Sequence, residues 1–200
     1  MKRKPLVAGT FYPDNSDKLY ELLDHYCEEK IRQNNKNILI KPTGVILPHA
    51  GYVFSGKIAL NAVKKVYTSG DVKRVFLIGP NHTGIGKNVS VYTKGSWETP
   101  LGEIKIDEQT SKELLNNSIF ESDSLGHLKE HSLEVQLPIL QYFYGNTFKI
   151  IPICLKDQSE STSKKVGNFI KNVLKEGDLV VASTDLNHYE SQEKTISKDN

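Results

Sequence analysis

The feature of this sequence that most constrains its fold is a set of short, continuously apolar segments separated by amphipathic stretches. These segments predict strands at residues 44–47, 74–78, 148–155 and 179–182. Strands that are apolar throughout are typical of parallel sheets covered by helices on both faces. We therefore predict an α/β fold, a three-layer α/β/α sandwich around a mostly parallel or mixed central sheet. A length of 200 residues suits a single domain spanning 1–200.

Helical periodicity fills the intervals between these strands. Asn15 and Ser16 open a predicted helix whose apolar positions are Leu19, Leu22, Leu23, Tyr26, Cys27 and Ile31. A second apolar stripe consists of Ile58, Ala59, Ala62, Val63 and Val66. Further helices are predicted near Leu114, through 135–143 and through 166–174. The polar run 32–37 breaks the first helix, and the polar stretch 191–200 ends the chain without a capping element.

Two segments alternate between apolar and polar residues and predict half-buried strands at 89–92 and 102–106. Residues 95–100 lie between them and have the composition of a connecting loop. Together these segments predict a β-hairpin inserted into the sheet.

Charge and composition exclude several classes of protein. The 26 basic and 24 acidic residues give a net charge of +2, and no stretch has the Lys/Arg density that nucleic-acid backbones require, so we expect no nucleic-acid partner. No apolar run has the length of a membrane span and no signal-type region follows the N-terminus, so we expect a cytoplasmic protein without membrane contact. Cys27 and Cys154 lie in apolar contexts without CxxC spacing, which fits a reducing compartment and a packing role.

Histidines follow three of the predicted strands. His49 comes after the strand at 44–47, His82 after the strand at 74–78, and Asp185 and His188 after the strand at 179–182. Ligands of open α/β sheets bind outside the carboxyl ends of the strands, where loops converge on a rigid support. We therefore expect these side chains to share one polar pocket.

The chemistry of such a pocket favours a metal. Imidazole suits iron, copper, zinc and nickel, and we predict His49 and His82 as the ligand pair. Asp185 and His188 are candidates for orienting a ligand or for proton transfer, because a carboxylate that accepts a ring N–H fixes the tautomer. The alternative for Asp185 is that it caps the following turn.

A further histidine, His131, lies between Glu130 and Glu134. On a helix His131 and Glu134 would share a face, so both could point into the pocket, and His131 is a third candidate for proton transfer. The alternative is that Ser132 is an N-cap and Glu134 favours the positive end of the helix dipole. Pro138 indicates that the helix starts or kinks nearby. No phosphate loop or Gly-x-Ser-x-Gly elbow is present, so a hydrolase is not favoured.

Several motifs together resemble those of the Memo family, also called AmmeMemoRadiSam system protein B. They are Val7-Ala8-Gly9-Thr10-Phe11-Tyr12-Pro13, Pro48-His49-Ala50-Gly51-Tyr52, Gly79-Pro80-Asn81-His82, Trp97-Glu98-Thr99-Pro100-Leu101-Gly102, Glu130-His131-Ser132-Leu133-Glu134-Val135-Gln136-Leu137-Pro138 and Ser183-Thr184-Asp185-Leu186-Asn187-His188-Tyr189. The family is similar in fold to the class III non-haem iron dioxygenases. The resemblance therefore implies a pocket at the corresponding edge of the sheet.

By this resemblance His49 and His82 fall on the family's two histidine metal ligands, and Asp185 and His188 fall on polar residues of the same pocket. Iron or copper is the implied cofactor. Family members continue beyond the last motif into a part that carries a cysteine as third metal ligand, and since this chain stops at Asn200 we expect it to be truncated relative to them.

Two functions remain open at this stage. One is a metal-dependent redox enzyme, dioxygenase-like in its chemistry. The other is a non-catalytic module that binds a small molecule or peptide in the same pocket, since a relative in the family is associated with signalling-receptor peptides. The family name also implies a radical-SAM protein as a system partner.

Overall fold

The computed structural model describes residues 1–27, 44–67 and 72–199. Its strands are β1 (Lys2–Arg3), β2 (Gly44–Leu47), β3 (Arg74–Pro80), β4 (Val89–Val91), β5 (Ser96–Thr99), β6 (Gly102–Ile106), β7 (Glu121–Ser122), β8 (Lys149–Leu155) and β9 (Asp178–Ser183). Its helices are α1 (Ser16–Tyr26), α2 (Tyr52–Val66), α3 (Glu108–Leu114), α4 (Leu125–Leu128), α5 (Gln136–Tyr144), α6 (Glu160–Val173) and α7 (Gln192–Asp199). The predicted strands and the main helices are thus confirmed.

The nine described strands form one mixed, mostly parallel sheet, in which seven follow the order β1-β5-β6-β8-β3-β9-β2 while β4 pairs with β8 and β7 pairs with β4. The central strands β8, β3 and β9 run parallel, and β2 runs parallel to β9. In register, Leu77 of β3 lies opposite Pro152 of β8 and Val181 of β9. Because β2, β3 and β9 share one direction, the loops that follow them emerge at the same edge of the sheet.

Two apolar clusters cover the two faces of this sheet. Alternate residues of β3 divide between them, since Val75 and Leu77 pack into one cluster and Phe76 into the other. The first cluster includes residues of α1, α2 and α5, and the second includes residues of α3 and α6. Helices therefore cover both faces, which confirms the predicted α/β/α layering.

The predicted hairpin exists, but one of its strands is different. The segment interpreted as a loop contains β5, which pairs antiparallel with β6, while β4 pairs antiparallel with β8. The loop interpretation was wrong because Ser96, Trp97 and Thr99 are buried, and pairing with β6 satisfies their backbone groups.

Three other details differ from the sequence predictions. The strand β2 was expected to be buried, yet it lies at the end of the described sheet order and Ile46 is 65% exposed. Ile58 faces outward because α2 turns Ala59, Leu60 and Val63 towards the core instead. Most of the polar stretch 191–200 forms α7. Ile31 and the polar run 32–37 lie outside the described residues.

Within the described part of the chain, every helix is too short or too polar to cross a membrane.

Candidate metal site at the carboxyl edge of the sheet

Three histidine rings converge at the edge where β2, β3 and β9 end. The His49 and His82 ring centroids are 5.1 Å apart, and His131 lies 5.9 Å from His49 and 5.0 Å from His82. The ring of Phe11 flanks His131 at 4.8 Å. His49 is 4% exposed, whereas the His82 side chain is partly open to solvent. The site therefore has a buried inner wall and an accessible outer side.

A close approach of backbone segments makes this convergence possible. Gly79 lies in β3 just before the His82 loop, and a Cβ added there would come within 2.7 Å of Leu133 and 3.1 Å of the Ser183 Cβ. Only a residue without a side chain lets the segment that carries His131 lie this close to β3 and β9.

The carboxylate of Glu130 joins two of the histidines from behind. Glu130 is 2% exposed, and its Oε1 accepts a hydrogen bond from His82 Nδ1 at 2.9 Å and from the backbone amides of His131 and Ser132 at 2.8 Å each. Its Oε2 accepts from the His82 amide at 2.5 Å. Burial alone would raise the pKa of Glu130, but these hydrogen bonds outweigh burial and the pKa is lowered. Glu130 is therefore a carboxylate at neutral pH.

Donor atoms of His82, Glu130 and His131 all lie within 4.8 Å of one another, so this group could hold a metal ion. From the sequence, Glu130 was recognised only as a neighbour of His131, not as a member of the site. A buried carboxylate that bonds a ring 48 residues away leaves no local pattern, so it could not be identified from sequence spacing.

The inner histidine is kept neutral by its surroundings. Burial lowers the pKa of His49 to about 4, and the neighbouring His82 and His131 rings add to this effect, while the carboxylate of Asp185 opposes it. Burial also lowers the pKa of His131. Both rings therefore carry a free nitrogen lone pair at pH 7, as a metal ligand must.

Asp185 contacts the site from the loop after β9. Its Oδ1 accepts a hydrogen bond from the His49 backbone amide at 2.6 Å, and its Oδ2 lies 3.6 Å from His49 Nε2 and 3.1 Å from His188 Nε2. The turn-capping alternative is not what the structure shows, because these contacts go to two histidines and Thr184 accepts from the Leu186 amide.

His188 lies further out than the other predicted site residues. Its side chain is half exposed, its ring centroid lies 4.1 Å from that of Tyr189 with the two planes tilted by 36°, and its contact with the site passes through Asp185. Leu186 and Tyr189 both have positive φ angles, of 56° and 57°, in this turn. Such backbone is strained for residues other than glycine and is often found at functional sites.

The expectation that Glu134 points into the pocket was wrong. The helix α5 begins only at Gln136, so His131 and Glu134 do not share a helical face. Glu134 is instead fully buried beneath the N-terminal segment, where it pairs with Arg3 at 2.7 Å. The hydroxyl of Ser132 donates to the Pro80 carbonyl and does not cap the helix.

Both cysteines are buried and neither forms a disulfide, as their apolar contexts predicted. The thiol of Cys154 faces the Pro80 carbonyl oxygen at 3.6 Å, and burial raises its pKa well above the usual range. Cys154 is therefore a protonated thiol at neutral pH and serves packing in β8.

Comparison with known proteins agrees with the motifs at this edge. A family model described as Memo-like protein matches residues 3–200. A MEMO1 family protein of Thermotoga neapolitana is 44% identical over all of this chain and 75% of its own length. Those of Nitrosopumilus maritimus and Aquifex aeolicus are each 42% identical, over 100% and 98% of this chain and over 73% and 71% of their own lengths. The chain belongs to the Memo-like protein family.

Proposed function

We propose that this protein binds a redox-active metal, iron or copper, at the histidine cluster and supports dioxygenase-like or related redox chemistry. The observation that carries the proposal is the convergence of His49, His82 and His131 within 5.9 Å of one another, beside the ionised Glu130. Imidazole nitrogens suit iron and copper, and three histidine rings converge here. The residues present therefore fit such an ion.

The pairing of His82 with Glu130 supports this fit. Glu130 accepts the proton of His82 Nδ1, which leaves Nε2 as the nitrogen with a free lone pair. A carboxylate behind a histidine is the usual partner of a metal-bound imidazole, because it fixes the ring and raises its basicity.

The remaining residues have distinct proposed roles. His49 and His82 would hold the ion, with His131 supplying a further donor, and a bound iron or copper would supply one-electron redox chemistry. Asp185 holds the His49 backbone amide and lies 3.1 Å from His188 Nε2, so it can orient His188 to take up a proton from a ligand in the pocket. His188 is half exposed and can exchange that proton with solvent.

The first test is elemental analysis of protein that has been purified anaerobically in the absence of chelators. The wild type should carry close to one iron or copper per chain. The His49→Ala/His82→Ala double variant should lose it, because the two nitrogens at the centre of the cluster are gone. His25→Ala is the matched control, since His25 is exposed on α1 away from the cluster and its loss should leave the metal content unchanged. A double variant with wild-type metal content contradicts the proposed site.

The redox part of the proposal has its own test. Metal-loaded protein that consumes no oxygen and shows no change of metal oxidation state, with either iron or copper fully bound, would overturn the enzymatic reading and leave the metal site intact.

A second candidate function, a binding module for a peptide or small molecule, is favoured by exposed apolar side chains around the pocket. Phe54 is 81% exposed and packs near Gly51, while Leu186 and Tyr189 flank the Asp185 turn, Tyr189 being 99% exposed. Large exposed apolar groups at a pocket often mark a ligand surface. If a labelled peptide binds through these groups, Phe54→Ser and Tyr189→Ser should weaken it at least about tenfold, a loss typical of interface anchors. A peptide whose affinity is unchanged in these variants and in the His49→Ala/His82→Ala variant does not bind in the pocket.

Three expectations from the sequence stay proposals. They are a cytoplasmic location, the lack of a nucleic-acid partner, and functional association with a radical-SAM protein. Association with such a partner is best sought by co-purification under anaerobic conditions, where an iron-sulfur cluster stays intact.

A further inference from the structure

The hydroxyl of Ser183 lies at a junction of three polar groups behind the His49 ring. Ser183 is the last residue of β9 and is 4% exposed. Its Oγ lies 2.9 Å from His49 Nδ1, 2.9 Å from Gln136 Nε2 and 2.7 Å from the carbonyl oxygen of Ser132. A hydroxyl offers one proton and two lone pairs, so these three contacts use its whole hydrogen-bonding capacity.

The direction of each of these hydrogen bonds follows from its partner. The Ser132 carbonyl can only accept, so Ser183 donates its single proton there. The Gln136 side-chain atom assigned as Nε2 also lies 2.9 Å from the Pro48 carbonyl oxygen. A carbonyl oxygen only accepts hydrogen bonds, so this atom must be the NH₂ nitrogen and not the amide oxygen. Gln136 therefore donates to Ser183. Since Ser183 has only a lone pair left for the ring, His49 Nδ1 must carry a proton.

The other tautomer of His49 has a poorer alternative partner. A proton on Nε2 would face Asp185 Oδ2 at 3.6 Å, which is too long for a hydrogen bond. The Asp185 carboxylate is held in place by the His49 backbone amide. Moving the ring proton to Nε2 would thus give up a hydrogen bond of 2.9 Å and leave the second lone pair of the Ser183 hydroxyl without a donor.

We propose that Ser183 is a positioning residue that fixes His49 as the Nδ1–H tautomer and so presents the Nε2 lone pair to the pocket shared with His82 and His131. The inference rests on the proposed function in one respect, that a metal ion needs this lone pair. Glu130 does the same for His82 from the segment between α4 and α5. A neutral hydroxyl in one case and a carboxylate in the other thus prepare two rings for one ligand.

The tautomer can be read directly in metal-free protein. Long-range ¹H–¹⁵N correlation spectra of ¹⁵N-histidine-labelled protein at pH 7.5 distinguish a protonated ring nitrogen from one with a lone pair, and His49→Ala assigns the signals. The wild type should show His49 with Nδ1 protonated. In Ser183→Ala the Nε2–H form should become the major one, because the acceptor at Nδ1 is gone. Ser90→Ala is the control, since Ser90 is equally buried and its hydroxyl donates to Asp123, outside the pocket.

Calorimetric titration with Zn²⁺ gives the second measurement. Ser183→Ala should bind Zn²⁺ about 10–100-fold more weakly than the wild type, the loss usual for a removed partner of a metal-binding histidine, and Ser90→Ala should bind it normally. A wild type with Nε2 protonated, or a Ser183→Ala spectrum unchanged at His49, overturns the role of Ser183. A wild type with the expected tautomer that binds no Zn²⁺ supports the role of Ser183 and counts against the metal site alone.

Discussion

Replacing Glu134 with glutamine is expected to lower the free energy of unfolding by about 3–5 kcal/mol, the cost of breaking a buried ion pair on one side. Glu134 and Arg3 are both almost completely buried and their side chains meet at 2.7 Å. The Glu134 carboxylate also accepts from the amides of Leu6 and Val7 and from the hydroxyl of Tyr12. A glutamine would turn its NH₂ group towards donors and leave the Arg3 charge without a counterion.

Arg3 connects the N-terminal segment to the histidine site, so the loss of its counterion should affect both regions. Its guanidinium donates to the carbonyls of His127 and Glu130 and lies over the Trp97 ring at 4.3 Å. The pair thus ties the N-terminal segment to the stretch that carries Glu130. Glu134, which the sequence predicted to point into the pocket, instead stabilises the segment of Glu130 through Arg3.

The measurement is urea unfolding of metal-free protein at pH 7.5, followed by the shift of the midpoint at constant slope. The control is Glu103→Gln, which breaks an exposed pair with Lys2 near the same segment and should shift the midpoint far less, because solvent screens an exposed pair. Equal, small losses in the two variants would show that the buried pair contributes no more than a surface one.

Metal-free protein should also lose stability steeply as the pH falls from about 6.5 to 4. Burial lowers the pKa of His127 from 6.5 to about 4, and the positive charge of Arg3 adds to this, while the hydrogen bond to the Ser90 carbonyl opposes it. Between these pH values His127 is protonated in the unfolded chain but neutral in the folded protein. Stability therefore rises with pH across this window and is lost on acidification. His127 alone contributes a loss of about 3 kcal/mol by pH 4.

His49 acts in the same direction, because its pKa is also lowered to about 4. At pH 7.5 and above both rings are almost entirely neutral in the folded and the unfolded chain, so neither affects stability there. The check is a series of urea unfolding curves between pH 7.5 and 4.5 for the wild type and His127→Gln. The variant keeps an N–H for the Ser90 carbonyl but has no group to titrate, so its stability should fall less steeply. Parallel curves for the two proteins would contradict the assigned role of His127.

The sequence by itself determined the α/β class, the parallel central strands and the edge at which the histidines meet. The physical reason is that apolar runs and helical periodicity are local, and parallel strands deliver their carboxyl ends to one edge whatever the details of packing. His49, His82 and Asp185 follow their strands directly, so their meeting needed only that topology.

Only the tertiary structure decided the partners behind those side chains. Glu130 reaches His82, Ser183 reaches His49, and Glu134 turns away to Arg3. The sequence assigned Glu134 a place on the helix face of His131, and the structure places it elsewhere because the turn before α5 faces a buried guanidinium. Which of two neighbouring carboxylates enters a pocket depends on the partner each one meets after folding, and these partners, His82 for Glu130 and Arg3 for Glu134, lie 48 and 131 positions away in the chain.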